Sequence, residues 1–345
     1  MRKLWENKVS RRKLLGGAAA TGAALPVLHE LIPHQGLHGG TSAAEAAVAH
    51  HHQAHRGTGH LGAVGRVDHG RNGFDPQAIL RDFDEGVVSG GVREWEIVAE
   101  DREIEVAPGV KYAAWTYNGR VPGPTLRARE GERLRIRFVN GSKHPHTMHF
   151  HGIHRDLSDG IPGIGVGNVD PGGSTVYEFD ATPFGLHLYH CHSTPLADHI
   201  AKGLYGAFVI DPKEGRPEAD ELVMVMNGFD TNFDRSNEVY AVNTVAFAYQ
   251  HEPVRVKRDQ LVRIYLVNAL EFDLINSFHI HANFFHYFPT GTSLEPTELT
   301  DTVIQGQGQR GILELRFPYP GRYMFHAHVS EFAELGWMGF FDVEE

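Results

Sequence analysis

Four His-X-His motifs dominate the chemistry available to this sequence. They are His149-Phe150-His151, His190-Cys191-His192, His279-Ile280-His281 and His326-Ala327-His328, and the second encloses the only cysteine among the 345 residues. On a β-strand, side chains two residues apart project to the same face, so each motif directs two imidazoles toward one point. Eight imidazoles can hold about three transition-metal ions, and a thiolate between two of them is a soft ligand suited to copper. The motifs therefore predict a metalloprotein.

The composition supports folded domains and argues against nucleic acid as a partner. The length allows two domains of ordinary size, and a hydrophobic content of 41% excludes global disorder. The 32 basic and 43 acidic residues give a net charge of −11, and no basic block occurs beyond the N-terminus. A single cysteine allows no internal disulfide and suggests a thiol kept for chemistry.

The N-terminus has the pattern of an export signal. Ser10-Arg11-Arg12-Lys13-Leu14-Leu15 precedes a Gly/Ala-rich apolar run over residues 14–28, which is too short and too weakly hydrophobic for a stable membrane span. Paired arginines before such a run are typical of a twin-arginine signal, so residues 1–45 predict export to the periplasm or the cell exterior. Cleavage is expected near Ala44-Glu45-Ala46 or Ala47-Val48-Ala49, with no membrane span afterwards. The alternative is a basic N-terminus with a short buried helix.

A histidine-rich segment follows over residues 46–90. Its histidines stand among Gly and Ala with few apolar residues, and they are His50, His51, His52, His55, His60 and His69. This composition cannot supply a core, so the segment is predicted to be disordered, with ordered structure beginning near Gly91. Two interpretations stay open, a copper-collecting arm and a polar tail without function.

The remainder of the chain has the pattern of β-strands. Residues 92–98 and 134–139 alternate apolar with polar side chains, which is the period of half-buried strands. Between them, residues 117–124 are dense in turn-forming residues. Few segments carry helical periodicity, so the chain is predicted to be all-β.

An internal repeat predicts two copies of one domain. The matching segments are 132–140 with 260–268, 185–192 with 321–328, and 203–208 with 336–341. Two tandem Greek-key β-sandwiches fit this repeat, one over residues 91–212 and the other over residues 213–345.

These motifs also resemble a known family. The turn Asn118-Gly119-Arg120-Val121-Pro122-Gly123-Pro124, the four His-X-His motifs and the His-Cys-His order resemble the cupredoxin domains of multicopper oxidases, from about Trp95 to Phe341. With two domains, the chain is similar to the two-domain laccases. The resemblance implies copper as the cofactor, with one type 1, one type 2 and two type 3 ions in each chain.

The type 1 site can be located on this resemblance. Such a site needs two histidines, a cysteine thiolate and a weak axial position. His146, Cys191 and His199 match the ligands, and Leu204 stands where the family places its axial methionine or a leucine that does not bind. Because leucine cannot coordinate, we expect a three-coordinate site with a raised reduction potential.

The second domain departs from this pattern at two positions. Asn276 takes the place of His146, and Ala327 takes the place of Cys191. A type 1 copper is therefore expected in domain 1 only, an arrangement called type B within the two-domain family.

The four His-X-His pairs resemble the ligands of a trinuclear cluster. His149 and His279 match the type 2 ligands. The remaining six histidines match the type 3 ligands, and they are His151, His190, His192, His281, His326 and His328. In the two-domain family the pairs come from neighbouring subunits of a homotrimer, so the resemblance implies inter-subunit clusters.

Reduction of oxygen consumes protons, so acidic residues are expected beside the cluster. Asp159 resembles the Asp-Gly of the family near type 2 copper, and Glu331 follows His328 at the spacing of a proton-donating carboxylate in some members. Both are predicted as catalytic residues. The alternative for each is a structural acceptor that holds a ligand imidazole.

The resemblance implies a laccase-like oxidase that takes electrons from phenols or aromatic amines and reduces dioxygen to water. A copper nitrite reductase is the rival enzyme, although that family carries an aspartate where His149 stands and lacks the histidine at His192. A copper storage or carrier protein is the third hypothesis. Oxidation of Cu(I) or Mn(II) stays open, and the natural donor cannot be identified from the sequence.

Overall fold

The chain is seen in a computed structural model that describes residues 65–345, and this part is built mostly from strands. The first half contains β1 Phe83–Asp84, β2 Val87–Ser89, β3 Val92–Ala107, β4 Val110–Tyr117, β5 Thr125–Arg129, β6 Arg133–Asn140, β7 His149–Phe150, β8 Ser174–Asp180, β9 Gly185–His190 and β10 Tyr205–Asp211. The second half contains β11 Asp220–Phe229, β12 Val239–Val242, β13 Val254–Lys257, β14 Val262–Asn268, β15 Ile275–Ile280, β16 Phe285–Pro289, β17 Glu298–Thr300, β18 Thr302–Gly306, β19 Arg310–Leu315, β20 Gly321–His326 and β21 Met338–Glu344.

The helices of the described residues are short. They are α1 His69–Asn72, α2 Pro76–Ile79, α3 Leu196–Ala201, α4 Ala248–His251 and α5 Ser330–Glu334, with one 3-10 turn at Asp156–Ser158. Over residues 65–345, no helix has the length and apolarity that a membrane crossing requires. The prediction of an all-β chain is confirmed.

Each half of the chain forms a β-sandwich. In the first sandwich (residues 83–211) one sheet has the order β1-β5-β10-β9-β7, and the other has β2-β3-β6-β8 with β4 paired to β3. In the second sandwich (residues 220–344) the orders are β12-β11-β14-β19-β16-β17 and β13-β21-β20-β15-β18. Neighbouring strands are often distant in sequence, because the chain crosses between the sheets as in a Greek key. The predicted cupredoxin-like fold is confirmed.

Alternation along the strands builds the two cores. In β3, Trp95, Ile97 and Ala99 are 5%, 0% and 0% exposed and pack between the two sheets of the first sandwich. Strand β9 differs because all six of its residues are buried. One of its faces lies in the sandwich core, and the other packs against the second sandwich.

The two sandwiches share an apolar interface. Leu186 and Leu188 of β9 belong to one buried cluster with Val223 and Val225 of β11 and Ile312 of β19. Burial of this kind stabilises by about 25 cal/mol for each Å² of apolar surface removed from water. The interface fixes β9, which carries the central His-Cys-His segment, against the second half of the chain.

An ion-pair network borders the same interface. Arg127 of β5 binds Asp211 at 2.7 Å and Glu221 of β11 at 2.6 Å. Arg263 of β14, which is 2% exposed, binds Glu221 at 2.8 Å and Glu314 at 2.6 Å. Glu221 therefore joins an arginine of the first sandwich to one of the second.

The prediction of disorder up to residue 90 was wrong for the described residues 65–90. They form α1, α2, β1 and β2, and Phe74, Ile79 and Leu80 are 8%, 1% and 0% exposed. Asn72 binds the backbone of Glu105 in both directions, which fastens α1 to β3. Sparse apolar residues suffice here because they are buried in core clusters that strands of the sandwiches supply. The predicted export signal and residues 46–64 of the histidine-rich segment, which carry all its histidines except His69, lie outside the described residues.

The network around Glu221 generates a prediction about stability. Burial opposes ionisation of Glu221, but hydrogen bonds from Arg127, Tyr265 and Arg263 outweigh it and lower the pKa of this carboxyl group. A lowered folded-state pKa contributes stability above the ordinary glutamate value of about 4.3, and this contribution is lost as the pH falls through the folded-state pKa. Glu221→Gln should therefore cost about 2 kcal/mol at pH 7 and progressively less in acid.

Urea unfolding of copper-free protein measures this difference across pH. Glu214→Gln, at an exposed position, is the matched control and should leave stability within about 0.5 kcal/mol of the wild type. A loss in Glu221→Gln that does not shrink below pH 4 would contradict the assigned direction of the pKa shift.

Candidate metal centres

Strand alternation separates the thiol from the imidazoles of the His-Cys-His segment. Tyr189 and Cys191 belong to the core of the first sandwich. His190 lies between them in sequence and therefore projects to the opposite face, where it pairs across strands with His149. The thiol points into the core and the histidines point away from it.

The thiol meets two further histidines inside the first sandwich. The Sγ atom of Cys191 lies 3.3 Å from Nδ1 of His199 and 3.8 Å from Nδ1 of His146, and the two nitrogens are 3.1 Å apart. His146 comes from the loop that bridges to Val169, whereas His199 comes from α3. The structure thus brings together the three residues predicted for type 1 copper.

Burial prepares these groups to bind a metal. It lowers the pKa of His146 to about 3 and that of His199 to about 4, so both imidazoles are neutral at pH 7 and offer a lone pair. Ser142 Oγ contacts Nε2 of His146 at 2.9 Å, and this contact turns Nδ1 toward the sulfur. Two neutral imidazoles and one sulfur converging in an apolar core suit copper.

Leu204 has the environment expected of a residue that does not bind metal. Its side chain is fully buried, and its carbonyl oxygen accepts a hydrogen bond from the Cys191 backbone at 3.0 Å. Leu204 and Cys191 belong to the same buried core cluster, and the assignment of Leu204 to the axial position stays a prediction.

The second sandwich has the same backbone hydrogen bond at the corresponding place but lacks the ligand residues. Ala327 donates its backbone N–H to the carbonyl of Trp337, as Cys191 does to Leu204. Trp337 thus stands at the counterpart of Leu204, and together with Asn276 and Ala327 it is fully buried. These residues offer no thiolate and no imidazole, so they do not suit a copper ion.

Four histidines form a first set at one edge of the first sandwich. The Nε2 atoms of His151 and His190 are 2.9 Å apart. The ring of His149 lies 5.1, 5.2 and 5.3 Å from the rings of His151, His190 and His192. Burial lowers the pKa of His151 to about 3 and that of His190 to about 4, so these imidazoles are neutral at pH 7.

A second set repeats this geometry in the second sandwich. The Nε2 atoms of His281 and His326 are 3.0 Å apart. The ring of His279 lies 5.1, 5.3 and 5.3 Å from the rings of His281, His326 and His328. The two sets therefore form near-identical arrays of four imidazoles, each suited to share metal ions.

The two sets do not meet within one chain. In residues 65–345, no group of ligand atoms within 4.8 Å of one another combines histidines of the two sets. The first set borders a cavity of about 290 Å³ whose other wall includes Asn268 and Gln307 of the second sandwich. In the second set, His281 and His328 are exposed. A single chain thus carries two separate four-histidine sets.

Backbone carbonyls orient the histidines of both sets. Nδ1 of His149 contacts the Asp159 carbonyl at 2.8 Å, and Nδ1 of His279 contacts the Asp301 carbonyl at 3.0 Å. These contacts leave Nε2 of each ring directed toward its set. The sequence did not reveal these contacts, because any residue type can supply a backbone carbonyl.

The two predicted acids lie in different surroundings. Asp159 Oδ1 is 3.1 Å from Nδ1 of His149 and 3.2 Å from Nε2 of His154. Glu331 is exposed on α5, and within residues 65–345 no hydrogen bond or ion pair joins it to one of the eight motif histidines. Asp159 therefore contacts a predicted copper ligand, whereas Glu331 makes no such contact among the described residues.

Sequence reasoning missed three supporting side chains. Thr147 donates its backbone N–H to the Cys191 sulfur at 3.3 Å, and its hydroxyl accepts from His192 N at 2.9 Å. Ser277 accepts from His328 N in the same way at 2.8 Å. Both directly follow the aligned positions 146 and 276, so the repeat could have revealed them. Trp115 covers the type 1 residues from β4, and no local motif marks it.

Comparison with known proteins follows the same division of the chain. A model of the multicopper oxidase family matches residues 99–215, and a second multicopper oxidase model matches residues 217–345. The protein in a crystal structure of a multicopper oxidase is 64% identical in sequence to this chain. The match covers 81% of this chain and 100% of the other chain, and the two superpose with a TM-score of 0.80.

Nitrite reductases are also similar. A copper nitrite reductase from Nitrosomonas europaea is 26% identical, covers 74% of this chain and 94% of its own, and superposes with a TM-score of 0.68. The copper-containing nitrite reductase of Neisseria gonorrhoeae is 29% identical over 274 residues, which is 73% of this chain and 67% of the relative.

The burial of Cys191 generates a prediction about its reactivity. Its sulfur is enclosed in the core and is 0% exposed, so a bulky disulfide reagent cannot reach it while the sandwich is folded. In copper-free protein, the single thiol should react with 5,5′-dithiobis(2-nitrobenzoate) only after denaturant is added. Absorbance of the released thiolate follows the reaction, and Cys191→Ser provides the blank. Complete reaction of native protein at the rate of the unfolded chain would contradict the described packing.

Proposed function

The chain belongs to the multicopper oxidase family, and on that premise we propose that it is a laccase-like oxidase. It takes single electrons from phenols or aromatic amines and reduces dioxygen to water. The observation that carries this proposal is the combination of two kinds of site. Two matching four-histidine sets are present, and the first sandwich also holds the separate group of His146, Cys191 and His199. A protein that only stored copper would not need two different kinds of site.

The proposed ligand roles follow the geometry of the three groups. His146, Cys191 and His199 hold type 1 copper, with Leu204 beside it. His149 and His279, each first in its pair, hold type 2 copper. The type 3 ions are held by the other six histidines, which are His151, His190, His192, His281, His326 and His328.

When bound, the coppers supply one-electron acceptance at the type 1 site and four-electron reduction of dioxygen at the cluster. The chain supplies the connection, since Cys191 is bonded in sequence to His190 and His192 of the first set. It also supplies rigidity, because Ser142 and the Asp159 carbonyl fix imidazoles on either side of this connection. The apolar core around Cys191 keeps water away from the thiolate.

Proton supply is assigned to Asp159 and Glu331. Contact of Asp159 with His149 and His154 supports a role close to the cluster, where the carboxylate both orients His149 and exchanges protons with solvent. Glu331 is exposed three residues after His328, and a neighbouring subunit could bring it near the complete cluster.

A homotrimer is the proposed assembly. Each four-histidine set is incomplete alone, and the exposed second set of one subunit can face the first set of the next. A head-to-tail contact that closes after three copies would form three such clusters. Export by the twin-arginine route, to the periplasm or beyond, remains part of the proposal on the basis of Arg11 and Arg12.

Copper nitrite reductase is the alternative that the similar proteins favour. It does not explain His192 or a full second set of four histidines, because the extra imidazoles would have no metal to hold. Oxygen uptake with a phenolic donor distinguishes the two, since a reductase would consume nitrite under anaerobic conditions instead.

Copper content and colour test the proposal directly. The loaded wild type should hold about four copper ions per chain and show an intense thiolate band at about 600 nm. Cys191→Ser should lose the band and oxidase activity but retain about three ions, because the other ligands are intact. Metal analysis with optical and paramagnetic spectra measures this. A colourless wild type, or one with two ions per chain, would overturn the assignment.

Subunit mixing tests the location of the clusters. One variant lacks His149 and His151, the other lacks His279 and His281, and each should be inactive alone. After joint unfolding and refolding, about a quarter of the interfaces should combine an intact first set with an intact second set and recover activity and copper. Affinity tags of two kinds show that the subunits have mixed. Mixed trimers with no recovery would exclude clusters shared between subunits.

A further inference from the structure

The proposed type 1 ligands are sealed from solvent. His146 and Cys191 are 0% exposed and His199 is 4% exposed. An aromatic donor is too large to reach the imidazoles through such an opening. Electrons must therefore cross whichever side chain covers the ligands.

Trp115 of β4 is the cover. Its ring centroid lies 4.7 Å from that of His199 and 5.1 Å from that of His146. The Trp115 residue itself is partly exposed to solvent. The backbone N–H of Trp115 donates to the Lys202 carbonyl at 2.9 Å, which fastens the strand to the end of α3. One indole thus lies against both imidazoles and is itself partly exposed, with the exposed ring of His144 4.8 Å away.

Lys202 gives this surface a positive charge. Its Nζ lies 5.3 Å from the Trp115 ring and 4.3 Å from the Phe233 ring, and it donates to the Ala113 carbonyl at 3.2 Å. Within the described part of the chain this ammonium group forms no ion pair.

The nearby carboxylates are engaged elsewhere. Asp198 faces Arg235 at 3.7 Å, and Asp230 accepts two backbone N–H groups. Asp101 accepts from Ser142 and Lys143. These carboxylates act on Lys202 through space without pairing with it. Of its three ammonium hydrogens one is bonded to the Ala113 carbonyl, so the others can donate to an anionic ligand.

We propose that Trp115 is the surface on which the aromatic donor stacks and through which its electron enters, and that Lys202 selects donors that carry a carboxylate. The inference rests on the proposed oxidase function. His146, Cys191 and His199 would hold the copper that accepts one electron. Trp115 would conduct that electron from a phenolic donor, which releases one proton to water as it is oxidised to a phenoxyl radical. Trp115 is unchanged at the end of the transfer.

The test uses two donors and two variants of the loaded protein. Anaerobic bleaching of the thiolate band is followed with neutral 2,6-dimethoxyphenol and with 4-hydroxy-3,5-dimethoxybenzoate. Trp115→Leu should slow bleaching by both donors about tenfold, the effect of removing one aromatic stacking contact. Lys202→Met should slow only the carboxylate donor, by about threefold.

Controls separate this role from a structural one. The band position, the type 1 potential and the rate of reoxidation by dioxygen should be unchanged in both variants. Trp115→Phe keeps a ring and should retain most of the rate, and Tyr319→Leu removes an exposed aromatic ring from the second half of the chain and should have no effect. Bleaching rates in Trp115→Leu equal to those of the wild type would overturn the proposal, as would losses explained by a shifted potential.

A measurement without copper completes the design. Saturation-transfer NMR on copper-free protein should detect binding of 4-hydroxy-3,5-dimethoxybenzoate to the wild type and weaker binding to both variants. Equal binding to all three would overturn the docking surface whether or not the loaded protein is an oxidase. A wild type that lacks the thiolate band would instead refute the proposed function, so the two failures can be told apart.

Discussion

The two-residue period of the β-strand is the constraint on which this molecule depends. In β9 the alternation places Tyr189 and Cys191 in the core of the first sandwich and directs His190 outward. The same period buries Phe278 and Ile280 and directs His279 and His281 outward in the second sandwich. Three consecutive residues can therefore serve two separate sites, and the register of the strand pairs fixes the distance between them.

Burial sets the protonation state of the histidines near Cys191. The imidazoles near Cys191 are neutral because the surrounding core disfavours their charged form, which lowers the pKa of His146 to about 3. A neutral ring offers a lone pair, and Ser142 or a backbone carbonyl holds the opposite nitrogen. The sandwiches thus supply ligands that are both oriented and deprotonated, and the interface between the sandwiches keeps β9 from shifting.

Much of this arrangement could be predicted from the sequence, because its signals are local or repeated. The His-X-His motifs, the alternation in β3 and β6, and the duplicated segments led to the two sandwiches and to the grouping of His146, Cys191 and His199. Contacts between distant elements could not be predicted. Trp115 reaches the histidines from another strand, and Phe74, Ile79 and Leu80 are buried against residues that lie far from them in sequence.

The internal repeat is broken where Trp337 fills the counterpart of the Leu204 position. A copper site there would require a histidine at Asn276, a cysteine at Ala327, a further histidine in a shorter loop and the removal of a buried indole. No one of these changes gives a working site, and most would leave a cavity or an unpaired polar group in the core. A type 1 site engineered into the second half would therefore need all of these changes together, and the stability lost in the intermediate variants sets the difficulty of that design.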